Sequence, residues 1–365
     1  MARGEKGGDS IRAWVPRWWR GEGGPIGKTL DTALWPAEML FRGAVAFRNR
    51  AYDRGILRVE SPQITVVSVG NLGIGGAGKT PVAAWIAARL VTWGRRPAIV
   101  LRGYGADEIL VHREINPEIP VFAAARRADA VREAAAAGCD VAVLDDGFQH
   151  RAVARQLDIA LVAADGWGAN RHLLPRGPWR EGLAALRRAD LVLVTRKAAD
   201  DAVTEQLEDA ITAQIGRERI VRCRIAPGDL VALTGNWTRA GGEGEGSRGE
   251  GERSDARVPL STLRGRQVLA IASLADPRPF AAHLEVEGAR VELAAFPDHH
   301  AFTAVEVARL VARSEGRPLV MTRKEAVKLK PLIEEQVEAW MLEQRVVIES
   351  GAAALDDALK RAVER

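Results

Sequence analysis

The stretch VVSVGNLGIGGAGKTPVAAWIA, residues 66–87, joins an apolar run to an alanine-rich run through a glycine-rich loop. Residues 73–80 match the pattern G-x-x-x-x-G-K-[ST] at every fixed position, with a strand pattern before them and a helix pattern after them. Glycines let backbone N–H groups turn inward, and the start of a helix adds a field that favours phosphate oxygens. We therefore predict a nucleotide phosphate site formed by Gly73, Gly75, Gly76, Ala77, Gly78, Lys79 and Thr80.

Short apolar runs alternate with helical patterns on both sides of this loop. Strand patterns occupy residues 63–70, 97–105, 139–150, 157–166 and 189–196, and helical patterns occupy residues 79–93, 129–138 and 199–216. Apolar strands that alternate with helices form a parallel sheet covered on both faces. The fold class predicted is α/β, a P-loop NTPase-type parallel sheet with flanking helices, followed by a second, smaller α/β domain and preceded by an N-terminal interfacial helix.

Composition divides the chain into four predicted parts. Residues 239–257, RAGGEGEGSRGEGERSDAR, contain no large apolar residue and are predicted to be a disordered linker or insertion. They separate a P-loop kinase domain, residues 59–238, from a C-terminal α/β domain, residues 258–365, which is expected to close a cleft over the site. Residues 1–58 form a tail and an amphipathic helix.

The overall composition excludes several classes of protein. The formal net charge is only +4 over 365 residues, and no basic and aromatic residues interleave along the predicted sheet, so we expect no nucleic-acid partner. The two cysteines are far apart, which argues against a disulfide framework or a structural zinc site. No stretch reaches the roughly 18–20 uncharged residues that span a bilayer, and no signal peptide is visible. We expect a catalytic body in the cytoplasm, with no obligate protein partner.

The N-terminal part has a helical pattern from residue 28 to residue 53. Its apolar residues are interrupted by Glu38 and by arginines, and three tryptophans, Trp14, Trp18 and Trp19, precede it. Tryptophans beside an apolar stripe with flanking arginines are typical of a helix in a membrane interface. A helix packed on the protein's own core gives a similar pattern, and the sequence alone leaves both interpretations open.

Two carboxylates follow the run VAVL, where a strand is predicted to end. Asp145 and Asp146 lie downstream of the phosphate loop, the position from which a carboxylate reaches Mg²⁺ directly or through water. With Thr80 they are the predicted metal residues, and Lys79 is predicted to bridge the β- and γ-phosphates of ATP. The nearest match to a guanine-recognising [NT]KxD stretch is TRKAAD, residues 195–200, whose spacing is wrong. A regulatory NTPase with a protein partner and a soluble small-molecule kinase remain alternatives.

Six further segments give the chain a specific resemblance. VGNLGIGGAGKTP, LRGYG, LDDGFQHR, LLPRGPWRE, FPDHHAFT and TRKEAVKLK occur in the order and rough spacing of the tetraacyldisaccharide 4′-kinase family, which the chain resembles from about residue 28 to its end. The resemblance implies ATP- and Mg²⁺-dependent phosphorylation of the 4′-hydroxyl of a tetraacylated glucosamine disaccharide 1-phosphate, giving lipid IVA in lipid A biosynthesis. It also implies a monotopic enzyme on the cytoplasmic face of the bacterial inner membrane, held there by the N-terminal helix.

The resemblance also implies roles for individual residues. Gln149 and His150 are expected to shape the nucleotide site. An aspartate after the RGYG segment and a histidine of the DHH segment are expected to activate the sugar hydroxyl, and Asp107 and His299 match them best. The segment before Asp107 is shorter than is usual in the family, so Glu108 remains an alternative, as His300 does for His299. The segment TRKEAVKLK has Arg323 and Glu325 where the family usually has glutamate and aspartate.

Overall fold

The computed structural model describes residues 14–103, 106–168, 170–234, 256–274, 277–298 and 300–364. The chain divides into two compact units. The first is made of Met1–Ile225 and Val346–Arg365, and the second of Ala226–Arg345.

The helices and strands follow one another in the alternating order that the sequence predicts. The helices are α1 (Gly24–Ala33), α2 (Trp35–Asp53), α3 (Lys79–Thr92), α4 (Ala106–Ile115), α5 (Arg127–Ala136), α6 (Asp201–Ile215), α7 (Arg278–Val286), α8 (Ala304–Ser314), α9 (Arg323–Leu329) and α10 (Ala352–Val363). The strands are β1 (Thr65–Asn71), β2 (Pro97–Leu101), β3 (Val121–Ala123), β4 (Val141–Asp145), β5 (Leu157–Ala163), β6 (Leu191–Arg196), β7 (Ile220–Ala232), β8 (Arg257–Val258), β9 (Gln267–Ala272), β10 (Arg290–Ala295), β11 (Leu319–Thr322) and β12 (Ala339–Ser350).

The first unit is built on a parallel sheet in the order β7-β6-β5-β1-β4-β2-β3. Strand β1 is central, and its Val67 pairs with Val143 of β4 and with Leu157 of β5. Strands β2 and β4 are buried along their whole length, as expected for a parallel sheet covered on both faces. The carboxyl ends of β1 and β4 lie at the same edge, which brings the phosphate loop next to Asp145. The predicted P-loop NTPase-type sheet is confirmed.

Helices cover both faces of this sheet. On one face Ile86 and Leu90 of α3 pack in the same apolar core as Leu355 and Leu359 of α10. On the other face, α6 contributes Leu207 and Ile211 to a second core, and α5 packs beside it through Val131.

The second unit is a smaller α/β unit. Its parallel strands have the order β10-β9-β11-β12, and the short β8 pairs with the later part of β7 in the antiparallel direction. Leu269, Met321 and Met341 lie in its core, together with Val307 and Leu310 of α8. A second α/β domain is therefore present, as the fold class predicts.

The limits of the units differ from those of the predicted domains. Residues 346–365, predicted to belong to the C-terminal domain, belong to the first unit because Leu355 and Leu359 are buried in its core. Residues 226–234, predicted in the kinase domain, belong to the second unit. Most of the predicted linker, residues 239–255, lies outside the described residues. Its last residue, Arg257, is not part of a linker, since it pairs with Val231 at the start of β8.

Helix α2 packs against the rest of the first unit through polar contacts. Glu38 of α2 is buried and accepts hydrogen bonds from the backbone N–H of Leu173 (3.1 Å), from Arg176 (3.1 Å) and from Arg42 (3.0 Å). One turn before its end, Asn49 donates to Glu181 at 2.8 Å. No helix among the described residues is long and apolar enough to span a bilayer.

Candidate active site

The phosphate loop leaves β1 and enters α3 through a conformation that only glycine accepts without strain. Gly78, the residue before α3, has φ 79°, and a Cβ there would lie 3.0 Å from Cγ1 of Ile225. At the end of β1 a second glycine permits close approach, since a Cβ on Gly70 would lie 2.4 Å from the backbone nitrogen of Phe148. The end of β1 and the turn after β4 are therefore packed directly against each other.

Lys79 is held over the loop by residues that flank it. Its Nζ donates to Oδ1 of Asn71 at 3.1 Å and lies 3.6 Å from Oδ1 of Asp146. The amide of Gln149 donates to the backbone oxygen of Asn71 at 2.7 Å. Gln149, predicted to shape the nucleotide site, thus fixes the residue that holds the lysine.

Thr80 and Asp145, two of the predicted metal residues, contact each other, and a third residue joins them. Oγ1 of Thr80 donates to Oδ2 of Asp145 at 2.9 Å, and Nε2 of His112 lies 3.0 Å from the same oxygen. Oδ1 of Asp145 is buried with no hydrogen-bond partner among the described residues. Burial raises the pKa of Asp145, but the hydrogen bond and charge of His112, the charge of Lys79 and the hydrogen bond from Thr80 outweigh it and hold the pKa below its usual value. The carboxylate is therefore ionised, with one oxygen held and one available.

Asp146 is held in a different way. Nη1 of Arg180 lies 3.1 and 3.0 Å from its two oxygens and 3.2 Å from Oε1 of Gln149. Its backbone is left-handed, with φ 57°. Arg127, buried in α5, donates to the backbone oxygens of Asp145 (3.2 Å) and Asp146 (2.9 Å). The turn that carries both carboxylates is thus fixed through its backbone as well as its side chains.

His150 lies in the same turn and is neutral at physiological pH. Burial lowers its pKa to about 4, and the charges of Arg127, Arg155 and Arg102 act in the same direction. It is therefore an uncharged side chain close to several positively charged arginines.

The segment of residues 172–181 borders the phosphate loop. The backbone N–H of Ile74 donates to the carbonyl of Pro178 at 2.7 Å, and the N–H of Arg180 donates to the carbonyl of Leu72 at 2.7 Å. Glu181 is buried and accepts two hydrogen bonds from Arg188, at 2.7 and 2.8 Å. This segment therefore connects the phosphate loop to α2, whose Asn49 also donates to Glu181.

The TRKAAD stretch also lies on the phosphate loop. Oγ1 of Thr195 donates to the carbonyl of Ala77 at 3.0 Å, and a Cβ on Gly76 would lie 3.1 Å from Nζ of Lys197. The carboxylate of Asp165 accepts the backbone N–H groups of residues 197–199. The spacing does not match the guanine motif, but the stretch supports the loop from its other side.

The comparisons with known proteins agree with this geometry. The family model described as Tetraacyldisaccharide-1-P 4′-kinase, LpxK, matches residues 30–112 and 107–364. The tetraacyldisaccharide 4′-kinase of Anaeromyxobacter dehalogenans is 42% identical over 345 residues, which are 87% of this chain and 86% of the relative. This chain belongs to the tetraacyldisaccharide 4′-kinase family.

Two further relatives support the assignment to this kinase family. The tetraacyldisaccharide 4′-kinase of an Azoarcus species is 34% identical and covers 93% of both chains. The crystal structure of LpxK from Aquifex aeolicus in complex with ATP has a TM-score of 0.69 and 26% identity, covering 92% of this chain and 99% of that one. The family and the fold class predicted from the sequence are confirmed, and the family is one of the lipid A pathway.

Of the two residues that the family resemblance assigns to the acceptor hydroxyl, the structure describes Asp107 but not His299. Asp107 lies in the first turn of α4 and is half-buried, with Glu108 beside it. His299 lies outside the described residues. His300 is described, and its Nε2 lies 3.2 Å from Oε1 of Glu306. The pairing of Asp107 with His299 thus remains a prediction from the sequence.

Several residues of this kinase site were not predicted from the sequence. His112, Arg127 and Arg180 all contact the Asp145–Asp146 pair, directly or through its backbone. Arg180 lies within the segment LLPRGPWRE, which carried the resemblance, so its motif was visible although its role was not. His112 lies in the middle of a helix with no motif of its own, and its partner is 33 residues away.

Proposed function

We propose that this chain transfers the γ-phosphoryl group of ATP to the 4′-hydroxyl of a tetraacylated glucosamine disaccharide 1-phosphate. The bond between phosphorus and the bridging oxygen of ADP breaks, the bond to the 4′-oxygen forms, and the hydroxyl proton passes to a protein base. The observation that carries the proposal is a phosphate loop whose Lys79, Thr80 and Asp145 are assembled in one site, in a chain of this kinase family. Phosphoryl transfer depends mainly on positioning and charge stabilisation, which this site supplies.

Each residue has a defined part in this reaction. Lys79 and the loop N–H groups hold the phosphates, and the Asn71 side chain keeps the lysine directed over the loop. Asp107 and His299 are proposed to position the acceptor oxygen and take its proton. The carboxylate would either orient the imidazole or take the proton itself. Gln149 and His150 shape the wall of the nucleotide site without adding charge.

The residues around Thr80 fit Mg²⁺. Oδ1 of Asp145 is an ionised, buried oxygen that has no other partner among the described residues, and a hydroxyl lies on the other oxygen of the same carboxylate. Mg²⁺ prefers such oxygen ligands and takes its remaining ligands from phosphates and water. Thr80, Asp145 and Asp146 would hold the ion, which neutralises charge on the phosphates when bound. The protein would keep Asp146 in place through Arg180.

The acceptor is proposed to occupy a cavity whose wall includes part of the segment that contacts the phosphate loop. This cavity of about 810 Å³ lies between α2 and residues 171–188 in the first unit, and Trp179 and Glu181 form part of its wall. Arginines reach it from several elements: Arg42, Arg50, Arg151, Arg171, Arg187 and Arg188. Guanidinium groups suit a sugar phosphate because they bind phosphate oxygens in pairs. The cavity therefore offers positive charge to a phosphorylated disaccharide.

The outer face of α2 supports a position at the cytoplasmic face of the inner membrane. Leu40 and Phe47, two turns apart on one side of the helix, are 78% and 76% exposed, and Trp35 at its start is also exposed. Arg50 and Arg54 follow this apolar side. An apolar stripe bordered by arginines binds a lipid surface with its side chains in the interface and its charges in water. The polar contacts of Glu38 and Asn49 fix the opposite side of α2 to the first unit.

The reaction is tested with purified protein, ATP, Mg²⁺ and the lipid disaccharide 1-phosphate in detergent micelles. We expect the lipid to gain the mass of one phosphate, with one ADP formed for each product. An acceptor without the 4′-hydroxyl should give neither, and Lys79→Ala should lose the activity. If the lipid gained no phosphate while ATP was hydrolysed, the chain would be an NTPase and the proposal would be wrong.

The membrane position is tested separately with sedimented vesicles of zwitterionic and anionic lipid. The double variant Leu40→Glu and Phe47→Glu should bind the vesicles with an affinity at least about 10-fold lower, since both apolar anchors are lost. Val286→Glu is the matched control, because Val286 is an equally exposed apolar residue (83%) outside the N-terminal helices. Equal vesicle binding by the wild type and the double variant would exclude α2 as the anchor.

A further inference from the structure

We propose that His112 is a positioning residue for the Mg²⁺ site, which holds one oxygen of Asp145 so that the other remains available to the ion. This inference rests on the proposed function, because it concerns the same site. It adds a residue of α4 that no sequence motif of the family resemblance includes.

The hydrogen bonds of Asp145 are distributed unevenly between its two oxygens. Oδ2 receives Oγ1 of Thr80 at 2.9 Å and faces Nε2 of His112 at 3.0 Å, whereas Oδ1 has no partner among the described residues. A carboxylate held by two donors on one oxygen cannot rotate without breaking both bonds. The free oxygen therefore has a fixed position before the nucleotide and its ion arrive.

The imidazole is suited to this role because its Nε2 faces the carboxylate. Oδ2 of the ionised Asp145 is an acceptor, so Nε2 carries the proton that lies between the two residues. A donor on Oδ2 orients the carboxylate and leaves Oδ1 available to the metal.

Packing of α4 does not by itself require a histidine at this position. Val111 is buried beside it, and Nδ2 of Asn116, one turn later, donates to the carbonyl of Ala84 in α3 at 3.0 Å. The helix is therefore anchored through other residues. His112 itself is only 1% exposed, and an apolar side chain of similar size would avoid burying an unpaired Nδ1. The hydrogen bond to Asp145 accounts for the polar residue.

The test measures metal binding in the absence of any acceptor. A fluorescent ADP analogue is bound to the full-length protein in EDTA, and Mg²⁺ is then added stepwise to find the concentration that gives half of the fluorescence change. For His112→Leu we expect that concentration to rise about 10- to 100-fold, the usual effect of losing the partner of a metal ligand. Binding of the analogue in EDTA should stay within about twofold of wild type, because the phosphate loop is unchanged.

Two amide variants and one helix variant complete the experiment. His112→Gln can place an N–H near the position of Nε2 and should stay within about threefold of wild type, whereas the shorter His112→Asn should behave like His112→Leu. Asn116→Ala loosens the same helix without touching Asp145 and should leave the Mg²⁺ dependence unchanged. If His112→Leu does not fold, the comparison of Gln with Asn makes the same test.

Three results would overturn the proposal. The first is an unchanged half-maximal Mg²⁺ concentration in His112→Leu or His112→Asn. The second is a half-maximal Mg²⁺ concentration that rises as much in Asn116→Ala as in His112→Leu, and the third is the same rise in His112→Gln. The first would show that the residue does not act on the metal site, and the others that any loosening of α4 has the same effect. Because no acceptor is present, a failure of the 4′-kinase assay would leave this result unaffected, so a failure of one proposal can be told apart from a failure of the other.

Discussion

Arg180 and Lys79 both face Asp146, but Arg180 holds it more closely. Nη1 of Arg180 lies 3.0 and 3.1 Å from the two carboxylate oxygens, whereas Nζ of Lys79 lies 3.6 Å from one of them. The carboxylate charge is thus neutralised mainly by the arginine. Lys79 keeps its hydrogen bond to Asn71 and remains available for phosphate.

Replacing Arg180 by methionine should therefore weaken nucleotide binding without Mg²⁺. Asp146 would lose its closer cation and attract Lys79 more strongly, and we expect ADP affinity in EDTA to fall about 5- to 20-fold, of the order expected for a charge-assisted hydrogen bond. The measurement is calorimetric binding of ADP. In the double variant with Asp146→Asn the lysine is released, so the affinity should recover to within about threefold of wild type. An Arg180→Met protein with wild-type ADP affinity would contradict this account of the lysine.

The backbone of Asp146 should make glycine more stable than alanine at this position. With φ 57° the residue adopts a conformation that costs about 1–2 kcal/mol for a residue with a Cβ and little for glycine. The greater unfolded-state entropy of glycine offsets about 0.4–1 kcal/mol of this. Both variants lack the carboxylate, so we expect Asp146→Gly to exceed Asp146→Ala by about 0.5–1 kcal/mol in the free energy of unfolding, measured with urea. Equal unfolding midpoints would mean that the turn relaxes in the alanine variant.

The phosphate loop and the first sheet were predictable because their signals are local. The pattern of residues 73–80, the apolar strand β1 before it and the helix α3 after it are contiguous in the sequence. Strand β4 ends at Asp145 because its run of apolar residues ends there, and parallel strands bring their carboxyl ends to one edge. This topology brings Asp145 to Thr80, although 65 residues separate them.

The partners of buried polar groups were not predictable in the same way. The sequence gives α10 an apolar side, but nothing in its pattern indicates that this side packs on the first unit rather than the second. Likewise the pattern of α2 placed Glu38 among its charged interruptions, whereas the structure buries it under Leu173 and Arg176. His112 is a further buried polar residue whose partner, Asp145, its own helix pattern does not indicate. A periodic pattern shows which side of a helix is covered, but the covering group comes from a distant part of the chain.

Glu38 should be the main polar anchor of α2. Its side chain is 1% exposed, and its loss leaves the guanidinium of Arg176 and the N–H of Leu173 without this acceptor. We expect Glu38→Leu to destabilise the docked helix by about 2–4 kcal/mol, because removing one partner of a buried charge pair leaves the other uncompensated. Hydrogen exchange of the α2 amides measures this directly.

The matched control for Glu38 removes an exposed partner of the same carboxylate. Arg42 lies 3.0 Å from Oε1 of Glu38, and its side chain is largely in water. Arg42→Ala should cost less than about 1 kcal/mol, as exposed ion pairs do. If the two variants opened α2 equally, the buried contacts of Glu38 would not be what holds the helix.

His150 should contribute a distinct pH dependence to stability. Its pKa is about 4 in the folded protein, lowered first by burial and then by Arg127, Arg155 and Arg102, against an ordinary value of 6.5. Between these two values the unfolded chain binds more protons than the folded one, so the free energy of unfolding rises with pH. The contribution is complete above about pH 6.5 and is lost as the pH falls towards 4.

We expect His150→Gln to lack this part of the pH dependence, since glutamine does not take up the proton. As the pH falls from 7.5 to 4.5, the free energy of unfolding of the wild type should decrease by roughly 1–2 kcal/mol more than that of the variant. This is less than the full pKa shift implies, because the partly exposed ring is screened by water. Urea unfolding at four pH values measures both proteins, and the carboxylates that titrate in this range are common to both. Parallel curves for the two proteins would mean that His150 takes up its proton equally in the folded and unfolded states, and that the surrounding guanidinium groups do not keep it neutral.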